Sequence, residues 1–252
     1  MKKQVLSASI GMFMAANALA VECPKGTTLD TDCWECGEHC TAYISTDPAT
    51  GNTHQLNIVG TGAMREGSNA NDYPWVPFQR AGGVITSIVV GEGITSIPKG
   101  FSYDNRNLKN VSLPNSLEQM NFFSFYQAPN IQNLNIPNHV TIDEIAFKGT
   151  VVENLTCDEN GLQGYLQSGK FKDSSFVNCT SGDCMSVLAD YDAQNNTSYA
   201  TTLKIAVKQA DGSTNIYQNG KVIGFKGKRI YTLDEAEKVA KPAGNRFKIR
   251  YR

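Results

Sequence analysis

Residues Ile131 to Phe147 read Ile-Gln-Asn-Leu-Asn-Ile-Pro-Asn-His-Val-Thr-Ile-Asp-Glu-Ile-Ala-Phe, and the start of this stretch recurs along the chain. Ile85-Thr-Ser-Ile-Val-Val90, Leu108-Lys-Asn-Val-Ser-Leu113, Ile131-Gln-Asn-Leu-Asn-Ile136 and Val152-Glu-Asn-Leu-Thr-Cys157 share one order: apolar, two others, apolar, one other, apolar. Their starts lie 23, 23 and 21 residues apart. Self-similarity at such a period predicts a stack of coils, because one unit of this size cannot bury its own apolar face. The second and third apolar residues are two apart, so they share one side of a short strand.

The second half of each unit also recurs. Ile94 and Ile97 lead to Phe101, Leu117 and Met120 lead to Phe125, and Val140 and Ile142 lead to Ala146-Phe147, one residue shorter. A medium apolar pair and a deep aromatic can fill the wider part of a coil. Pro114, Pro137 and Gly91 end the strands and turn the chain.

Residues between the inward ones face outward. They form two columns, Ser87, Asn110, Asn133, Asn154 and Val89, Ser112, Asn135, Thr156. A solvated sheet face needs only polar residues. A solenoid sheet also commonly carries a binding face, so Ser87, Asn110, Ser112, Asn133, Asn135, Asn154 and Thr156 are the candidate contact residues.

The repeat resembles the BspA-type leucine-rich repeat of secreted and cell-surface proteins, whose unit runs roughly apolar-x-x-Ile-x-Ile-Pro-x-x-Val-x-x-Ile-x-x-x-Ala-Phe. Ile131 to Phe147 matches it best, and the resemblance covers roughly residues 54–180. The fourth unit departs from it, losing the Pro and the Ala-Phe between Asp158 and Phe171. The resemblance implies a non-enzymatic surface or secreted module. The expected fold is mainly β: a short right-handed leucine-rich-repeat solenoid with an N-terminal β-hairpin cap and a small C-terminal antiparallel β module with one helix.

The 252 residues carry 23 basic and 24 acidic side chains, a net charge of −1. A chain so balanced is not expected to bind nucleic acid through its overall field. Lys2 and Lys3, an apolar run from Val5 to Ala16 and the small-x-small Ala18-Leu19-Ala20 predict a signal peptide over residues 1–20. No later run is apolar enough for a transmembrane segment. The expected location is extracellular or in the cell envelope.

Export favours disulfides among Cys23, Cys33, Cys36, Cys40, Cys157, Cys179 and Cys184. Zinc is disfavoured at Cys33-x-x-Cys36 because no second pair follows at ribbon spacing. The first four cysteines allow three pairings. Cys157 and Cys179 occupy inward positions of successive coils and could bridge them; Cys179 with Cys184 is the competing local loop. The odd total leaves one thiol over.

Outside the repeats, residues 21–83 read as a disulfide-containing cap, with strands at Tyr43-Ile-Ser and Gln55 to Val59 and Trp75 as its apolar plug. The solenoid is expected over 84–184, with Phe176 opening a truncated fifth coil, and a polar linker over 185–200. A β-rich module follows over 201–252, with strands around Leu203 to Val207, Thr214 to Tyr217 and Lys221 to Ile223. Its turn signals are Asp211-Gly212 and Asn219-Gly220. A helix is expected from Leu233 to about Lys241. The last strand sets Arg246, Lys248, Arg250 and Arg252 on one face, a stripe suited to an anionic partner or to guarding an edge.

No catalytic constellation is present in the pattern. His39, His54 and His139 have no second histidine at ligand spacing, no Gly-x-Ser-x-Gly elbow occurs, and Asp143-Glu144 fits a turn. No cofactor is implied. The expected function is recognition or adhesion, with a protein or surface glycan on the solenoid sheet. The alternative is an envelope-assembly protein docking through the basic tail.

Overall fold

A computed structural model describes residues 23–24, 33–46, 54–76, 84–209 and 212–226. The leader, the helix expected after Leu233 and the basic stripe of Arg246, Lys248, Arg250 and Arg252 lie outside the described residues.

Among the described residues the first strands are β1 (Cys33–Gly37), β2 (His39–Thr46) and β3 (His54–Ala63), paired antiparallel in that order. From β3 onward the pairing turns parallel. β4 (Ile85–Val90), β6 (Asn110–Ser112), β8 (Ile131–Asn135), β10 (Val151–Cys157) and β11 (Lys170–Cys179) stack in sequence order, one strand per coil. A second parallel ladder holds β5 (Ile94–Ile97), β7 (Gln119–Met120) and β9 (Thr141–Ile142), starting against the end of β3. This is the expected solenoid.

The inward residues explain the stack. Ile88, Val111, Leu134, Leu155 and Val177 are register partners in turn, and all are buried. Leu56 and Ile58 on β3 extend two ladders to the cap, facing Ile88 and Val90. Each such side chain contributes about 1.5–3 kcal/mol on burial, and it does so only against the next coil.

The deep aromatics form a continuous spine. Ring centroids are 5.6 Å apart from Trp75 to Phe101, 6.0 Å from Phe101 to Phe125 and 5.6 Å from Phe125 to Phe147. Trp75 plugs the cap as expected, 1% exposed, with its indole N–H donating to the Phe101 carbonyl at 2.7 Å.

The irregular fourth unit keeps the spine by another route. Asp158 caps α1 (Glu159–Leu166), accepting from the Gly161 N–H at 2.8 Å. The helix delivers Tyr165, whose ring lies 5.1 Å from Phe147 and 5.1 Å from Phe171. A helical turn thus replaces the missing Ala-Phe.

Residues expected to form a linker instead carry α2 (Cys184–Asn195) and α3 (Tyr199–Thr202). Leu188 is buried, and Met185, Val187, Tyr191, Tyr199 and Ala200 pack on the core. Their apolar side chains are spaced by three to four residues among many polar ones, so composition hid a helix that shields the last coil. Asp192 accepts from the Tyr199 and Ala200 N–H groups at 2.8 and 2.7 Å, tying α2 to α3.

The expected meander is present as β12 (Lys204–Lys208), β13 (Thr214–Gln218) and β14 (Lys221–Lys226). It is continuous with the solenoid, because β12 pairs parallel with β11. Asn219 and Gly220 both take positive φ, as a tight hairpin of this type requires.

Candidate binding face

The parallel register puts the candidate residues where their spacing predicts. Ser87 partners Asn110, Asn110 partners Asn133 and Asn133 partners Asn154. Val89 partners Ser112 and Asn135 partners Thr156 in the second column. Asn110, Ser112, Asn133, Asn135 and Asn154 are exposed; Ser87 and Thr156 are half-buried.

The first column is internally bonded. The Asn133 amide donates to the Asn110 carbonyl oxygen at 3.0 Å, and Asn154 donates to Asn133 at 3.2 Å and to the Gln132 backbone at 3.0 Å. Each amide is both donor and acceptor, so identical side chains 4.7–4.9 Å apart along a sheet can link head to tail. This fixes the rotamers of Asn110, Asn133 and Asn154. Asn135 in the second column makes no side-chain hydrogen bond to a described residue, while Thr156 accepts from Asn178 at 3.5 Å.

The face extends further than the repeat pattern alone indicated. On β3, Gln55 and Asn57 face Ser87 and Val89, with Gln55 donating to Asn57 at 2.7 Å and Asn57 to Ser45 at 2.9 Å. At the other end Asn154 meets Phe176 and then Lys204. The alternation of Gln55 and Asn57 with Leu56 and Ile58 was the available signal. Neither candidate column contains a carboxylate, lysine or arginine within the repeats.

Three disulfides join Cys23 to Cys33, Cys36 to Cys40 and Cys179 to Cys184, with Cα separations of 5.9, 5.0 and 6.1 Å. Cys157 is a buried free thiol. The bridge from Cys157 to Cys179 does not form although the two are register partners. Side chains of parallel partners run side by side at the strand spacing, wider than the ~3.8 Å between Cβ atoms that a disulfide needs. Cys184, at the start of α2, approaches Cys179 from the turn instead.

Asp143 serves its turn, accepting from the Ile145 N–H at 3.3 Å. Among the described residues no group of three or more His, Cys, Asp or Glu side chains is placed to hold a metal ion. No helix among them is long and apolar enough to cross a membrane.

Comparison with known proteins agrees with the coils. Residues 78–199 match the family described as the BspA type leucine rich repeat region, in six copies. No curated protein matches the chain. Among solved structures, a leucine-rich repeat protein from Eubacterium ventriosum is similar at 13% identity and a TM-score of 0.39, covering 75% of this chain and 51% of that one. The chain therefore spans about half the length of that protein. With this repeat order, strand stack and match, residues 78–199 are a BspA-type leucine-rich repeat region.

Proposed function

We propose that the protein is an exported, non-enzymatic recognition module that holds a protein or surface glycan on its solenoid sheet. The observation that carries this is the exposed, uncharged and register-matched face of Asn110, Ser112, Asn133, Asn135 and Asn154 on a stiff backbone. Asn110, Asn133 and Asn154, already held by one another, lose little side-chain freedom on binding. Amides and hydroxyls also match the mixed donors and acceptors of a peptide backbone or a glycan.

The test uses immobilised mature protein and solubilised surface proteins and glycans. Replacing Asn133 and Asn135 together with alanine is expected to weaken capture by about tenfold or more, as loss of a central polar contact does. The melting temperature should change little. Equal capture by the double variant would remove the sheet face from the binding account.

A further inference from the structure

A cleft of about 260 Å3 opens where β8 ends, lined by Asn115, Asn135, Ile136, Pro137, Asn138, His139 and Thr180. We infer that this cleft is a subsite for one neutral sugar ring. The inference rests on the recognition reading above and names a ligand class for one end of the face.

The lining disfavours charged ligands by its chemistry. It contains no lysine or arginine to neutralise a phosphate or carboxylate, and no carboxylate to bind a cation. Three amides, an imidazole and a hydroxyl each offer donor and acceptor capacity, which is the complement of sugar hydroxyls. Ile136 and Pro137, both buried, complete the lining. The volume lies just below the ~300 Å3 at which clefts begin to suit drug-sized ligands, so a single ring is the appropriate scale.

Three coils build the cleft. Asn115 comes from the turn after β6, where its N–H and side-chain amide donate to Glu92 at 3.0 and 3.3 Å. Asn138 and His139 follow β8, and Thr180 follows β11 and donates to Asn138 at 3.4 Å. Asn135 and His139 make no side-chain hydrogen bond to a described residue, so their polar groups are open to a ligand.

The second observation is backbone conformation. His139 has φ +68°, in the left-handed region where a side chain is strained. The same place in the first unit is Gly93, with φ +99°. A glycine would serve this turn without strain, so His139→Gly removes the imidazole while leaving the backbone at ease.

The measurement is saturation-transfer NMR on the oxidised mature chain with methyl glycosides of glucose, galactose, mannose, fucose and N-acetylglucosamine, and methyl glucuronide as the charged comparison. Transfer from at least one neutral glycoside is expected. It should fall at least tenfold in His139→Gly and in Asn138→Ala, and persist in Gln163→Ala, on the exposed side of α1 and outside the cleft lining. His139→Gly should melt at the same temperature or higher, because glycine relieves the turn; the same loss of transfer without loss of stability separates binding from folding. No transfer from any neutral glycoside, or transfer that survives both cleft variants, overturns the subsite. If sugars fail while protein capture still depends on Asn133 and Asn135, the subsite falls and the recognition function stands.

Discussion

Buried hydroxyls distinguish the residues that tie coils together from those that merely fit. Ser175 is fully buried, donates to the Val152 carbonyl at 2.7 Å and accepts from the Lys172 N–H at 3.0 Å. Ser102 is equally buried, yet its hydroxyl has no partner among the described residues. Ser175→Ala is expected to cost about 1–3 kcal/mol, since it strands a buried carbonyl. Ser102→Ala should be neutral or stabilising. Chemical denaturation of the two variants checks the contrast. Cys157 gives a second test at this scale. Burial first, then the neighbouring Asp158 charge, pushes its thiol above the ordinary value of 9.0. The native chain should therefore show no thiol reactive to a disulfide reagent near neutral pH, and one thiol once unfolded without reductant. The folded state therefore holds this proton more tightly than the unfolded chain. The contribution is complete below pH 9 and declines as pH rises beyond it.

At the scale of elements, the strands were legible in the sequence and the helices of the last coils were not. Ile85, Leu108, Ile131 and Val152 announce their strands because each coil repeats the same inward positions. Tyr165 takes its place in the aromatic spine from a helix, so no repeat template identifies it. α2 was hidden by its polar surface, with only Cys184 and Leu188 buried among its own residues. The Cys179–Cys184 loop and the Asn110–Asn133–Asn154 ladder needed register and rotamer, which spacing does not carry. Gly164 shows how tightly α1 is seated: a Cβ there would stand 2.7 Å from Ile142 Cδ1 and 2.9 Å from Ile142 Cβ. Although alanine favours a helix, Gly164→Ala is expected to destabilise by about 1–3 kcal/mol through overpacking. A thermal melt beside Gln163→Ala, on the exposed side of the same helix, isolates the effect.

For the whole molecule, the cap, coils and C-terminal meander share one sheet order, from β14 through β11 and β4 to β3. Binding energy at its face is expected to come from amides and hydroxyls, because the repeat columns carry no charged side chain. The rival account places docking in Arg246, Lys248, Arg250 and Arg252, whose attraction to an anionic surface would be screened as ionic strength rises. Capture by the mature protein at low and at physiological salt therefore separates the two directly. The sheet-face account predicts capture that changes by less than about twofold between those conditions and is lost on replacing Asn133 and Asn135 with alanine. Capture that collapses with added salt and ignores those substitutions would contradict it.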